Sequence, residues 1–154
     1  VAERAPDPAL EASTNRWMTA GLVIMVLMAL AFPLYRITEP ANRGAARESH
    51  RASLAQQGES IYQLNCAACH GVSGEGGVGP ALNSKQFLTA ANDEQVGLLV
   101  AVGVPGTQMS AYALDFGGPL TSEQIDAVVT FLRSLEPDAP DVPDWRSPGA
   151  SAGG

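Results

Sequence analysis

The chain has 154 residues, a formal net charge of −7 and 45% hydrophobic residues, and only about 85 residues read as compact and globular, which leaves room for one modest core with appendages. The charge is unevenly spread: residues 1–51 carry six arginines against five carboxylates, whereas residues 52–154 carry Lys85, Arg133 and Arg146 against eleven. A second half at −8 repels nucleic-acid phosphates, which need a basic footprint, so DNA and RNA roles are excluded and a basic protein partner is expected.

Residues 1–16 read as a short amino-terminal segment. Val1 fits either a non-standard initiation codon or a trimmed first residue. Residues 17–35, WMTAGLVIMVLMALAFPLY, contain no charge; at about 1.5 Å per residue they reach roughly 28 Å, the hydrocarbon thickness of a bilayer. Arg16 and Trp17 at one end, Tyr35 and Arg36 at the other, are the basic and aromatic flanks of two interfaces. The expectation is a transmembrane helix in the lipid bilayer, with Pro33 one turn from its far end. A cleaved signal peptide would have a shorter apolar core, of about 7–15 residues, and a small-residue cleavage site. By arginine count alone, Arg4 and Arg16 before the span against Arg36, Arg43, Arg47 and Arg51 after it, the second half would be cytoplasmic.

Residues 36–51 read as a juxtamembrane linker. Thr38-Glu39-Pro40 is expected to cap a new helix on which Glu39 pairs with Arg43, and Arg43, Arg47 and Arg51 form a basic stripe facing solvent, lipid headgroups or a partner. His50 in this stretch is expected to be exposed.

Chemistry concentrates in residues 52–136. The two cysteines of the chain stand in Cys66-Ala67-Ala68-Cys69-His70, the signature of c-type haem attachment. The thiols add to two haem vinyl groups as thioethers, the two-residue gap matches the vinyl separation, and the adjacent histidine falls beneath the iron. A structural zinc site needs four ligands and has no second cysteine pair here. A thioredoxin-like pair belongs near a βαβ pattern, and a disulfide between these positions would close too small a loop to stabilise much. Further on, Asn92 and Gln95 predict a helix cap ahead of the apolar face Val96, Leu99 and Val100, ending at Gly103. Thr121 and Gln124 predict a capping box ahead of Ile125, Val128, Val129 and Leu132, with Phe131 and Leu135 extending that face toward the first helix.

Gly58-x-x-x-Tyr62-x-x-x-Cys66-x-x-Cys69-His70, then Gly79-Pro80-Ala81-Leu82, a lone Met109, and Gly118-Pro119-Leu120-Thr121 ahead of an amphipathic helix resemble the mono-haem class I cytochromes c. The resemblance implies an all-α haem domain, preceded here by one transmembrane helix, and one covalent haem c held by Cys66, Cys69 and His70. It implies that Gly58 lies where the first helix crosses the last, that the glycines between 71 and 79 wrap the haem, and that the Pro80 carbonyl accepts from His70 Nδ1–H. It also makes Met109, the only methionine of the second half, the sixth iron ligand, although Ser110 stands where relatives often have proline. Such closed His/Met coordination suits electron transfer rather than substrate binding, within an apolar shell of Val78, Leu82, Phe87, Leu98 and Leu114. Because bacteria complete this attachment outside the cytoplasmic membrane, the resemblance overrules the arginine count, putting residues 1–16 on the cytoplasmic side and the haem domain on the extracytoplasmic, periplasmic side.

The implied role is that of an electron carrier, not an enzyme: a membrane-anchored subunit of a respiratory or photosynthetic electron-transport complex, working with its other subunits and with a redox protein donor and acceptor. An open-coordination haem enzyme and a free-standing anchored shuttle are the alternatives. Residues 137–154 form a tail rich in proline and glycine that is expected to be disordered alone and to lie along a partner, with Trp145 as the anchor.

Overall fold

The computed structural model describes residues 7–149. Val1, Arg4 and the last five residues of the tail lie outside the described residues. The fold divides into two compact units between Arg47 and Glu48.

Helix α1, Pro8–Asn65, begins in the first unit and ends in the second. Over residues 17–35 its large apolar side chains are exposed on every face, and its most apolar window has a mean hydropathy of 2.1, so it is long and apolar enough to cross a membrane. The Thr19 hydroxyl donates to the Asn15 carbonyl at 2.7 Å, and just outside this stretch those of Thr14 and Thr38 donate to the carbonyls of Leu10 and Leu34 at 2.8 and 3.1 Å. Such back-bonding is what a non-aqueous surrounding demands.

The expected new helix start at Thr38-Glu39-Pro40 is not formed, because α1 continues through Pro33 and Pro40. The Thr38 hydroxyl donates backwards instead of accepting from the turn ahead. Glu39 bridges to Arg43 at 2.5 Å across Pro40, and the alanine- and arginine-rich run that follows favours helix. Residues 36–51 are therefore helical rather than a loose linker, with His50 exposed.

The second unit is built from the end of α1, α2 (Ala67–His70), α3 (Lys85–Ala90), α4 (Asp93–Val102) and α5 (Ser122–Ser134), with single 3₁₀ turns at Leu114–Phe116 and Glu136–Asp138. No strand occurs among the described residues; one isolated bridge pairs Ala113 with Leu120. Both predicted capping boxes are present, Asn92 with Gln95 and Thr121 with Gln124, each substituting for lost helical partners at about 1 kcal/mol per cap. Ile125, Val128, Val129, Phe131 and Leu132 are buried as one face of α5, and they share a core with Tyr62, Phe87, Leu88, Val96, Val100 and Leu120. Leu99, expected on the buried face of α4, stays 42% exposed.

The tightest constraint is the crossing of α1 over α5. A Cβ placed on Gly58 would lie 1.9 Å from the Ala127 carbonyl oxygen, so only glycine permits this approach. One turn later Tyr62 is fully buried, its ring 5.2 Å from Phe131. Helix α3, absent from the sequence-based expectations, is capped by the buried Ser84, whose oxygen accepts from Phe87 N at 3.2 Å.

The carboxy-terminal segment departs most from expectation. Residues 139–149 lie along their own domain: Ala139 and Val142 are buried, and Trp145 packs on Phe87 with centroids 5.2 Å apart. Backbone bonds from Ala81 N to Trp145 O (2.9 Å), Lys85 N to Pro140 O (3.0 Å) and Gly149 N to Gly77 O (2.7 Å) tie it down. Proline-rich sequence lacks periodicity, but proline carbonyls and one large aromatic are enough to dock an irregular strap onto a preformed surface.

Replacing Gly58 by alanine should force α1 and α5 apart and cost about 1–3 kcal/mol through overpacking. Chemical denaturation of the purified protein checks this. A variant within about 0.5 kcal/mol of the parent would show that the crossing tolerates a side chain.

Candidate functional site

Helix α1 ends at Asn65, and after Cys66 the short α2 turns through His70. Two tyrosine hydroxyls bracket this turn. Tyr62 donates to the Gly71 carbonyl at 2.9 Å, and Tyr112 donates to the Asn65 carbonyl at 3.0 Å. Burial first, with the negative charge of Glu75 as a smaller cause, holds the Tyr62 hydroxyl above its ordinary pKa. Burial likewise raises Tyr112. Both phenols therefore remain protonated donors across the physiological range. Tyr112, 47 residues from its acceptor, left no local pattern in the sequence.

Within the turn, Cys66 is half-buried and Cys69 exposed, and the two are not joined to each other. Burial, with the neighbouring Cys69 as the smaller cause, pushes the Cys66 thiol up to about 11. A redox-active CxxC cysteine has a depressed value instead, so the local electrostatics disfavour a thioredoxin-like pair.

The His70 ring is fixed by its neighbours. Nδ1 lies 2.9 Å from the Pro80 carbonyl oxygen, an arrangement that assigns the proton to Nδ1 and leaves Nε2 with its lone pair free. A Cβ on Gly79 would stand 2.7 Å from His70 Cε1, so the bare glycine is what lets the chain pass the ring and present the next carbonyl. The loop is held by Gly79 N donating to Cys69 O at 2.8 Å, and by Leu82 N and Asn83 N donating to Gly74 O at 2.7 and 3.0 Å.

Met109 packs, partly buried, against the core cluster, and its loop is anchored by Val104 N donating to the Met109 carbonyl at 2.9 Å. Of the apolar shell expected from sequence, Val78, Leu98 and Leu114 are 57–63% exposed and Leu82 is half-buried. Phe87 is buried in the core, taken up by Trp145. Arg133, read from sequence only as a charge, bridges to Asp93 at 2.5 Å and donates to the carbonyls of Leu88 and Ala91, joining α5 to the connection between α3 and α4.

Two adjacent thiols, a histidine with one nitrogen committed and the other free, and a glycine clearing space beside the ring fit a covalently attached haem. The cytochrome c family model matches residues 55–136. The chain belongs to the cytochrome c family. Its haem is haem c, covalently bound at the CxxCH motif.

Among relatives of this cytochrome c, the Cbb3-type cytochrome c oxidase subunit CcoP of Azospirillum is 35% identical over 95 residues, covering 54% of this chain and 31% of the relative. Dihydro-heme d1 dehydrogenase of Pseudomonas aeruginosa is 35% identical over 83 residues, covering 54% of this chain and 16% of the relative. The cytochrome CL structure from Methylophaga aminisulfidivorans is 27% identical, covers 53% of each chain and has a TM-score of 0.46. The chain thus spans no more than about a third of the length of these two curated relatives.

Replacing both Cys66 and Cys69 by alanine should abolish covalent haem, and each single substitution should leave at most one thioether with poorly retained haem. Haem-stained denaturing gels check this; undiminished staining of the double variant would exclude these cysteines as the attachment points.

Proposed function

We propose that this cytochrome c transfers electrons through a single haem with His70 and Met109 as axial ligands. The reading places it in the bacterial cytoplasmic membrane as a single-pass subunit of an electron-transport complex, its haem domain on the extracytoplasmic side. The observation that carries the assignment of His70 is the 2.9 Å contact from its Nδ1 to the Pro80 carbonyl; Met109 rests on its being the only methionine after residue 28. The His70 contact orients the ring and keeps Nε2 available.

When bound, the haem supplies a one-electron couple whose potential depends on its ligands and its burial. The protein's part is to hold those ligands still. Tyr62 and Tyr112 fix both ends of the attachment turn, Gly79 and Pro80 fix the histidine, and the half-buried Met109 offers a soft thioether that favours the reduced state. Closed on both faces by these two ligands, the iron would have no position for a substrate, as a carrier requires.

The subunit reading is supported by two further features. The uncharged window of α1 has the length and apolarity of a membrane anchor. The relative from Azospirillum is named a subunit of a cytochrome c oxidase. The excess of carboxylates after residue 51 favours redox partners with a basic docking face.

If Met109 is the sixth ligand, the ferric protein should show a sulfur-to-iron charge-transfer band and the ferrous protein should bind carbon monoxide poorly. Met109→Ala should abolish the band, lower the reduction potential and admit carbon monoxide; Met109→His should close the site again at a lower potential. Ready carbon monoxide binding by the unmutated protein, with no such band, would overturn the carrier assignment in favour of an open-iron enzyme.

Electron exchange with a basic partner should slow by about tenfold or more from low to physiological salt and beyond, since exposed charges are screened over about 8–10 Å. Stopped-flow rates across a salt series check this, and a salt-independent rate would point to a permanent, dry interface.

A further inference from the structure

We propose that the carboxy-terminal strap, residues 139–149, is a positioning device for the haem ligand, with Trp145 as its anchor: it holds the Pro80 carbonyl on His70. The strap lies beyond the matched family region, which ends at residue 136. The proposal rests on His70 being an iron ligand.

The problem the strap solves follows from the chemistry of proline. Pro80 has no N–H of its own, so no bond from its own nitrogen can fix its carbonyl. That carbonyl is placed only as well as its neighbours are. On the upstream side, Gly79 N is held by Cys69 O within the attachment turn. On the downstream side, Ala81 N donates to the Trp145 carbonyl at 2.9 Å, directly after the Pro80 carbonyl. The strap takes two further bonds on the same loop, one at each end: Gly149 N to Gly77 O at 2.7 Å and Lys85 N to Pro140 O at 3.0 Å. Residues 77–85 are thus gripped at their start, middle and end.

The strap in turn is fixed by side chains. The Trp145 ring packs on Phe87, which is buried in the core, and the Arg146 guanidinium caps the indole at 4.1 Å from its centroid. Gln86 clamps the middle: its Oε1 accepts from Val142 N at 2.9 Å, and its Nε2 donates to Asp141. Val142 is buried beneath that clamp. A strap serving only as a cover would need its apolar contacts, but not three backbone bonds distributed around one ligand-orienting carbonyl.

The test uses the haem-loaded, full-length protein with isotopically labelled histidine. Nuclear magnetic resonance follows solvent exchange of His70 Nδ1–H, and the reduction potential is measured alongside. Trp145→Ala should speed that exchange by about tenfold or more and displace the potential from the parent value, while Trp145→Phe should restore most of both. Gln86→Leu, a half-buried substitution that spares the core, should act in the same direction with smaller effect, and it carries the test should Trp145→Ala not fold. Unchanged exchange and potential in the folded variants, with only a lowered melting temperature, would reduce the strap to a stabilising cover and overturn the proposal. Failure of the underlying reading has a different signature: the unmutated protein would lack the hyperfine-shifted signals of an iron-bound His70 ring.

Discussion

The contact between Gly58 and the Ala127 carbonyl is the constraint on which the rest of the second unit depends. With an ideal Cβ only 1.9 Å from that oxygen, the two helices approach at the backbone, and this sets the depth of everything one turn later on α1. Tyr62 is thereby driven into the core against Phe131, and its hydroxyl donates to the Gly71 carbonyl just past His70. A buried phenol without a partner would cost about 1–3 kcal/mol. The same bond that satisfies the tyrosine therefore stops the attachment turn from drifting. A packing decision at residue 58 becomes a positional one at residues 66–70.

From that turn outward, order is handed on through backbone carbonyls rather than through salt bridges. Asn65 and Gly71 accept from tyrosines, Cys69 accepts from Gly79, and Pro80 accepts from His70. Neutral acceptors suit a site meant to surround a large apolar group, since buried charges would carry a desolvation penalty and couple the site to pH. The charged clamp that does occur, Arg133 on Asp93 and on the carbonyls of Leu88 and Ala91, joins α5 to the region between α3 and α4.

What could be read in the sequence follows from how local each signal is. The CxxCH motif, both capping boxes and the apolar face of α5 occupy a few neighbouring positions, and each recurs in the structure with the named residues. Proline and glycine signals were less reliable. Pro40 resembled a helix start, yet α1 continues through it, because a Glu39–Arg43 bridge and good helix formers support the helix across the break. The tail looked structureless because a strap needs no periodicity; its order comes from Phe87, Gln86 and the backbone of residues 77–85, all more than 50 positions upstream. Tyr112 escaped notice for the same reason. Bonds across such separations leave no pattern that a single sequence displays.

Two kinds of exposed apolar surface remain, and their arrangement distinguishes them. Along residues 17–35 the exposure is continuous around the helix, with the Thr19 hydroxyl turned back onto the Asn15 carbonyl. Such a surface suits a solvent that is apolar on all sides and offers no hydrogen bonds. In the second unit, Val78, Leu98 and Leu114 are the side chains expected around the haem, and Phe116 is exposed on an otherwise acidic domain. Leu98, Leu114 and Phe116 share one groove with Asp93, Glu94, Asp115 and Asp126, so apolar contact there comes rimmed by negative charge. Hydrocarbon would be a poor occupant of that groove, because four carboxylates would have to be desolvated with it. Aqueous surroundings with a complementary polar rim are compatible with it, whereas residues 17–35 form a surface long and apolar enough to cross a membrane.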